Sequence, residues 1–280
     1  DASGEPSLGT AFQYRHLRGS TRRPYIFMAY RLPGPRHPDY FTLRLLAYLL
    51  GEGRGGLLKQ AMLGTDGGAL DLSVQVETRG SKGFFVFVVN PDPERVDRAE
   101  VQVLAQLEAL KQRGVAVSEL DRAKAMLLKD HLETIQSLDQ RARLLARHEV
   151  LDSYANRDRV PELLTGITPR DMARVLDRYF DETNLTLLEY FPQEAEPRSF
   201  DSRTLLETLR LLVTTGLNDE ASEIDVLHIN DDESTFEPPA FTPLYNSYDL
   251  KHTSILRGPT VYFQEEHILP LVHLGFFYFG

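Results

Sequence analysis

The chain has 280 residues, 42% hydrophobic and 26% charged, enough to bury a sizeable core as one large domain or a domain and a half. A net charge of -10 argues against a nucleic-acid surface, and the absence of cysteine excludes disulfides, thiolate zinc sites and cysteine nucleophiles. No run approaches the ~18 apolar residues of a membrane span, and the opening DASGEPSLGT lacks the basic and apolar regions of a signal peptide.

In chain order, the basic tract RHLRGSTRR (15–23) reads as a solvated lead-in rather than a binding patch. PYIFMAYRLP (24–33), rich in aromatic and branched residues and bounded by prolines, predicts a strand. In the segment that follows, Phe41, Leu45, Tyr48 and Leu49 recur at helical spacing and Gly51 supplies a stop. A short second helix fits 55–63, and GTDGG (64–68) is a turn cluster.

ALDLSVQVE (69–77) alternates Leu70, Leu72, Val74 and Val76 with polar residues, the period of a half-buried strand. GFFVFVVNP (83–91) is apolar on both faces and predicts a central strand, paired with the previous one as a hairpin. A helix over 94–113 carries Val96, Val103, Leu104, Leu107 and Leu110 on one stripe. SELD (118–121) has the form of a capping box and opens a helix that runs, broken near Ser137, to about Asp152. TPRD (168–171) places an N-cap Thr before a Pro and starts a helix ending near Phe180, and NLTLLEYF (184–191) is the last strand of this block.

Residues from about 10 to 195 thus read β-α-α-β-β-α-α-α-β. Grouped helices and hairpin strands imply an α+β fold, two-layered, with a mostly antiparallel sheet and helices packed on one face. Beyond Pro192 the composition becomes linker-like, with a short amphipathic helix at 203–213 and an acidic, Pro-bearing stretch expected to be irregular. Strands are expected at 254–256, 260–265 and 271–279. The boundaries are 1–195 for the first unit, 196–250 for an acidic linker with its helix, and 251–280 for the opening strands of a following domain.

This order of elements resembles the pitrilysin–insulinase family of zinc metallopeptidases, the inverzincins. RPYIFMAYRLPGPRHPDYFTLRLLAYLLGEG resembles that family's strand and helix ending in a Leu-Gly turn. GFFVFVVNPDPERVDRAEVQVLAQLEALKQRGVAVSELDRAKAMLLKDHL resembles its strand, long helix, Gly-Val turn and following helix start, and the segment from Leu145 to Pro192 its closing helices and strand. The tail LRGPTVYFQEEHILPLVHLGFFYFG resembles the opening strands of the next homologous half. The resemblance implies the second subdomain of one half, a middle fragment whose upstream catalytic subdomain and downstream half belong to the same parent chain. The missing initiator Met fits an absent natural N-terminus.

The family's zinc signature, His-x-x-Glu-His on a helix, is not in the sequence: His16, His37, His131, His148, His228, His252, His267 and His273 all fall outside such a string. Adjacent His148 and Glu149 point about 100° apart on a helix and cannot share a compact site. The Arg and Tyr that the family uses in its second half to hold substrate have no counterpart in LKQAMLGTDGGALDLSV. No catalytic, metal or cofactor-binding residue is therefore assigned, and zinc is expected in the parent only, on its upstream subdomain. Glu265, His267 and His273 share strand parity, with Glu266 beside them, but Pro270 interrupts the pattern, so a wet strand face is the simpler reading. GEGRGG (51–56) has dinucleotide-loop spacing but follows a helix instead of a strand and reads as a helix-to-helix turn. Asn184-Leu185-Thr186 matches a glycosylation acceptor at a strand start, and the acidic run 219–237 reads as a solvated linker.

The resemblance implies a chamber-wall and substrate-side support role in a peptide-hydrolysing parent, with the chain itself inactive. The alternative is a non-catalytic family member acting as a partner or scaffold subunit, and a third reading is an unrelated α+β domain. The partners implied are the other subdomains of the parent and its peptide substrate, with no nucleic acid and no membrane span. Strand-mediated self-association of the tail is also expected, and an exported, periplasmic bacterial location.

Overall fold

The computed structural model describes residues 9–53, 55–63, 67–79, 81–151, 160–196, 202–220, 251–254 and 260–263. Five strands form one mixed sheet in the order β1-β5-β2-β4-β3: β1 (Gln13–Gly19), β2 (Tyr25–Pro33), β3 (Ala69–Arg79), β4 (Lys82–Pro91) and β5 (Leu185–Pro192). β1 runs parallel to β5, and the other three pairings are antiparallel. The α+β class with a mostly antiparallel sheet, read from the sequence, is the observed one.

Strand alternation decides the layers. On one face Ile26, Met28, Tyr30 and Leu32 of β2 lie beside Phe85, Phe87 and Val89 of β4 and Leu185 and Leu187 of β5, all essentially closed to solvent. Each such side chain contributes about 1.5–3 kcal/mol of hydrophobic stabilisation. Helices cover this face: α1 (Tyr40–Gly51) lies on β3, α3 (Val96–Arg113) meets β4, and α7 (Pro169–Tyr179) meets β2. α4 (Val117–Gln136) backs α1 and continues into α5 (Leu138–Leu151) across a break at Ser137, which has extended backbone. The short helices α2 (Leu57–Met62) and α6 (Val160–Thr165) fill the corners. The amphipathic helix α8 (Ser202–Glu220) extends beyond the 203–213 span expected and packs Leu205 and Leu209 against α3.

Three sequence expectations need correction. The tract read as a solvated lead-in overlaps β1, which begins two residues before it. Its partner β5 lies more than 160 residues away, and its buried face carries the polar Tyr14 and His16 instead of aliphatics, so local alternation does not reveal it. The helix opened by SELD begins at Val117, not Ser118: Glu119 reaches back to accept from the Ala116 N–H at 3.0 Å, and Arg113 donates two 3.0 Å bonds to the same carboxylate. The element count between β4 and β5 rises because α5 is separate and α6 was not foreseen. The TPRD start holds, with Thr168 and Asp171 bonding reciprocally. β6 (Lys251–Ser254) and β7 (Thr260–Phe263) pair antiparallel with each other, the first starting earlier than expected; the strand expected at 271–279 lies outside the described residues.

Candidate functional site

The face of the sheet turned away from the helices is the candidate surface. Strand register places its side chains in rows. Val88 of β4, Phe27 of β2 and Leu188 of β5 form one row, flanked by Ser73 of β3 and Arg15 of β1. The next row on one side runs Gln75, Val86, Ala29, Thr186 and Gln13, and the next on the other runs Asp71, Asn90, Tyr25, Tyr190 and Leu17. Phe84 and Arg31 continue the face beside Glu77. The three inner strands thus carry an apolar, aromatic band of half-buried side chains, while the outward residues of β1 and β3 are exposed.

Two details show how the band is built. The rings of Tyr25 and Phe27 lie 6.3 Å apart. Tyr190 lies across Gly19, where an added Cβ would sit 2.1 Å from the tyrosine oxygen, so this ring can lie flat only over glycine. Leu17, 51% exposed, extends the band to the sheet edge. A contiguous surface of this kind marks a contact site more often than scattered apolar residues do.

On the helix side of the β1–β5 pair lies a buried polar cluster that the sequence reading missed. Glu189 is fully closed to solvent; its Oε2 accepts from the Tyr14 hydroxyl at 2.7 Å and lies 2.8 Å from His16 Nδ1. His16 also meets Phe191 edge-on, with centroids 5.0 Å apart. The cluster ties β1 to β5, and a carboxylate so enclosed is placed for holding strands together rather than for meeting a peptide in solution. A parity match between Tyr14, His16 and Glu189 was the available signal, and only the parallel pairing gives it meaning.

A second buried acid, Asp39, sits just before α1. It accepts from Tyr179 Oη at 2.7 Å and Arg174 Nη1 at 2.5 Å, with Arg178 and His37 nearby. Burial alone would push its carboxyl up; the Tyr179 and Arg174 hydrogen bonds, then the charges of Arg174 and His37, more than offset this and hold it below the usual carboxylate range. Burial, and then the hydrogen bond to Asp39 and its charge, raise the Tyr179 hydroxyl against the opposing charges of Arg178 and Arg174. This network joins α1 to α7. Tyr48 donates to Asp130 at 2.9 Å beside an open, polar groove where α4 passes into α5, and burial pushes its hydroxyl up to about 12.

The sequence candidates separate cleanly. The glycine loop lies between α1 and α2, as its helix-to-helix context implied. Gly51 faces Val74, Gly53 has φ 64°, and Gly55 lies flat on the Arg122 guanidinium, so the glycines serve close packing. Asn184 is 3% exposed, accepts from Gly9 N and donates to the carbonyls of Arg31 and Tyr179, which closes it to glycosylation. His37 lies by Asp39, while His131 and His148 lie on α4 and α5. Glu265, Glu266, His267 and His273, and nearly all of the acidic run, fall outside the described residues. Among the described residues no group of three or more His, Asp or Glu side chains could hold a metal ion, and no helix is long and apolar enough to cross a membrane.

The family described as Peptidase M16 inactive domain matches residues 3–127. The zinc protease PqqE of Helicobacter pylori is 24% identical over 168 residues, which cover 58% of this chain and 37% of that protein. The crystal structure of a protease from H. pylori aligns with a TM-score of 0.62 at 20% identity, over 66% of this chain and 46% of that one. An inactive peptidase domain from Bordetella parapertussis aligns at 0.57 and 23% identity, over 65% of this chain and 98% of that one. The chain therefore spans less than half the length of the H. pylori proteins it matches.

Proposed function

Since this chain carries a peptidase M16 inactive domain over residues 3–127, as the resemblance to the pitrilysin–insulinase family implied, we propose that it is a non-catalytic structural unit of a zinc metallopeptidase-like protein. In this reading residues 1–195 form the second subdomain of one half and 251–280 open the next. The helix-backed sheet forms part of the chamber wall, and hydrolysis occurs on an upstream subdomain that would carry the zinc.

The observation that carries the reading is the open apolar face. Phe27, Val86, Val88 and Leu188 stand half-buried on the side that carries no helix among the described residues, bordered by polar edge strands. Backbone and apolar side chains of an unfolded peptide, or the facing half of the parent, match such a surface. The bacterial sources of the relatives are compatible with an exported, periplasmic protein.

In the parent protein, Phe27→Asp should lower kcat/KM for peptide hydrolysis by about tenfold, the scale of one lost apolar anchor, with zinc content unchanged. The isolated 280-residue chain should bind no stoichiometric zinc and cleave no peptide. One tight zinc per isolated chain by metal analysis, or full peptidase activity of the Phe27→Asp parent, would overturn the reading.

A further inference from the structure

Charge is segregated along this chain, and the fold gathers one pole of it at a sheet edge. Residues 6–38 hold six arginines and no Asp or Glu, while 211–250 hold nine acids and no Lys or Arg. β1 is an edge strand whose far side pairs with no strand among the described residues. Arg15, Arg18, Arg22 and Arg23 are exposed on it and on the turn that follows. Arg18 donates to the Ala195 carbonyl at 3.2 Å, where Glu194 and Glu196 flank it, so the edge keeps an excess of positive charge. The opposite edge, β3, presents Asp71 and Glu77 as well as Arg79 and has no such excess.

The topology delivers the acidic segment to β1. Ala195 lies beside the end of β1, and Arg210 pairs with Glu182 just ahead of β5. Helix α8 therefore runs back antiparallel to β5 and releases the chain at the end of the sheet where β1 begins. β4 and β5 are parallel, each being antiparallel to β2, and the chain passes between them through helices on the covered face, moving toward β1. A parallel strand laid outside β1 after α8 repeats that move with the same hand, the one that such crossovers obey. A parallel strand beyond β3 would need the opposite hand.

We propose that the chain's own segment 223–233, EIDVLHINDDE, docks in parallel along the free edge of β1 as a sixth strand with an acidic extension. The proposal is independent of the peptidase reading and gives the acidic run a binding partner within the chain. Four of the six residues 224–229 are Ile, Val or Leu, the make-up of a strand. Ala221 and Ser222 leave a connection of the length usual between a helix and the strand after it. With Asp225 set beside Arg15, Leu227 meets Leu17, which is 51% exposed, on the outer face. On the helix side Ile224 and Val226 meet Tyr14 and His16 and cover the buried Glu189 cluster. Beyond the paired stretch, Asp231, Asp232 and Glu233 reach the turn that carries Arg22 and Arg23. His228, beside Arg18, is the only basic residue in the segment. A slip of one residue would turn Asp225 away from Arg15 and Leu227 away from Leu17, so charge and apolar contact select one register together.

The chain has no cysteine, so paired substitutions read this contact directly. Leu17→Cys with Leu227→Cys should oxidise to an intramolecular disulfide in the 280-residue chain, because neighbouring strands lie about 4.8 Å apart, within the span of a disulfide. Leu17→Cys with Val226→Cys, one residue out of step, should give about tenfold less. Added salt or Asp225→Arg should lower the first yield, and Arg15→Glu together with Asp225→Arg should restore it. In amide exchange, the β1 amides that face outward should exchange about tenfold faster in Ile224→Pro than in the native chain, with circular dichroism unchanged. No disulfide, an intermolecular one only, equal yields from the two pairs, or β1 exchange indifferent to Ile224→Pro overturns the proposal. Such a failure leaves the peptidase reading standing, since neither the zinc analysis nor the Phe27→Asp result depends on this edge.

Discussion

Replacing Asp39 tests whether a buried acid fastens the helix layer together. Asp39 is 2% exposed and Tyr179 fully buried, so Asp39→Ala leaves the Tyr179 hydroxyl without its 2.7 Å acceptor. Stranding a buried hydroxyl costs about 1–3 kcal/mol. Arg174 is nearly half exposed, and losing its contact adds at most about 1 kcal/mol after solvent screening. The total is about 1–4 kcal/mol, read as a shift of the urea midpoint followed by circular dichroism. Tyr179→Phe should be costly in the native chain and nearly neutral beside Asp39→Ala, a coupling of about 1–2 kcal/mol. The pH dependence has a definite sign. The folded-state pKa of Asp39 lies below its unfolded value, so the carboxylate's contribution is complete above about 4, the ordinary value for Asp, and fades as pH falls through the lower folded value. The stability gap between the native chain and Asp39→Asn should therefore be flat from pH 7 to 5 and close below about 4. An equal cost for Tyr179→Phe in both backgrounds, or a gap unchanged down to pH 3, would refute the reasoning.

Three further outcomes follow from individual contacts. Gly51→Ala would put its Cβ 2.6 Å from Val74 Cβ, forcing α1 off β3; a loss of about 1–3 kcal/mol is expected, and an unchanged unfolding midpoint would contradict this packing. Asn184→Ala removes an acceptor from Gly9 and donors from the Arg31 and Tyr179 carbonyls and should cost about 2–3 kcal/mol, an unchanged unfolding midpoint arguing against these bonds; in the native chain a glycosylating host should leave Asn184 bare, and a glycan on it would show the site open. Glu119→Ala removes both the Arg113 pair and the bond to Ala116 N, and should loosen the first turn of α4 by about 1–2 kcal/mol, seen as faster amide exchange at Ala116 through Leu120; unchanged exchange there would argue against the reach-back contact.

Much of the architecture is written in local pattern. Alternation in 69–77 and the two-faced apolar run in 83–91 specify a hairpin with one inner and one half-open strand, because period two assigns side chains to faces without reference to anything distant. Thr168-Pro169 and the stripe in 94–113 specify helices for the same reason. The absence of the zinc string from the 280 residues was equally readable, since ligand spacing on a helix is a local property.

The rest needed partners remote in sequence. β1 hides in a basic tract because its strand identity comes from β5, and its buried face is polar: Tyr14 and His16 are tolerable inside only because Glu189 meets them there. Asp39 and Asn184 look like ordinary loop polars until α7 closes over them. The candidate surface shows the division most plainly. Sequence alone supplies the apolar side chains of β2, β4 and β5; the strand order decides that they form one continuous band with Arg15 at one border and Asp71 at the other, because neighbours across a sheet are chosen by topology and not by proximity along the chain.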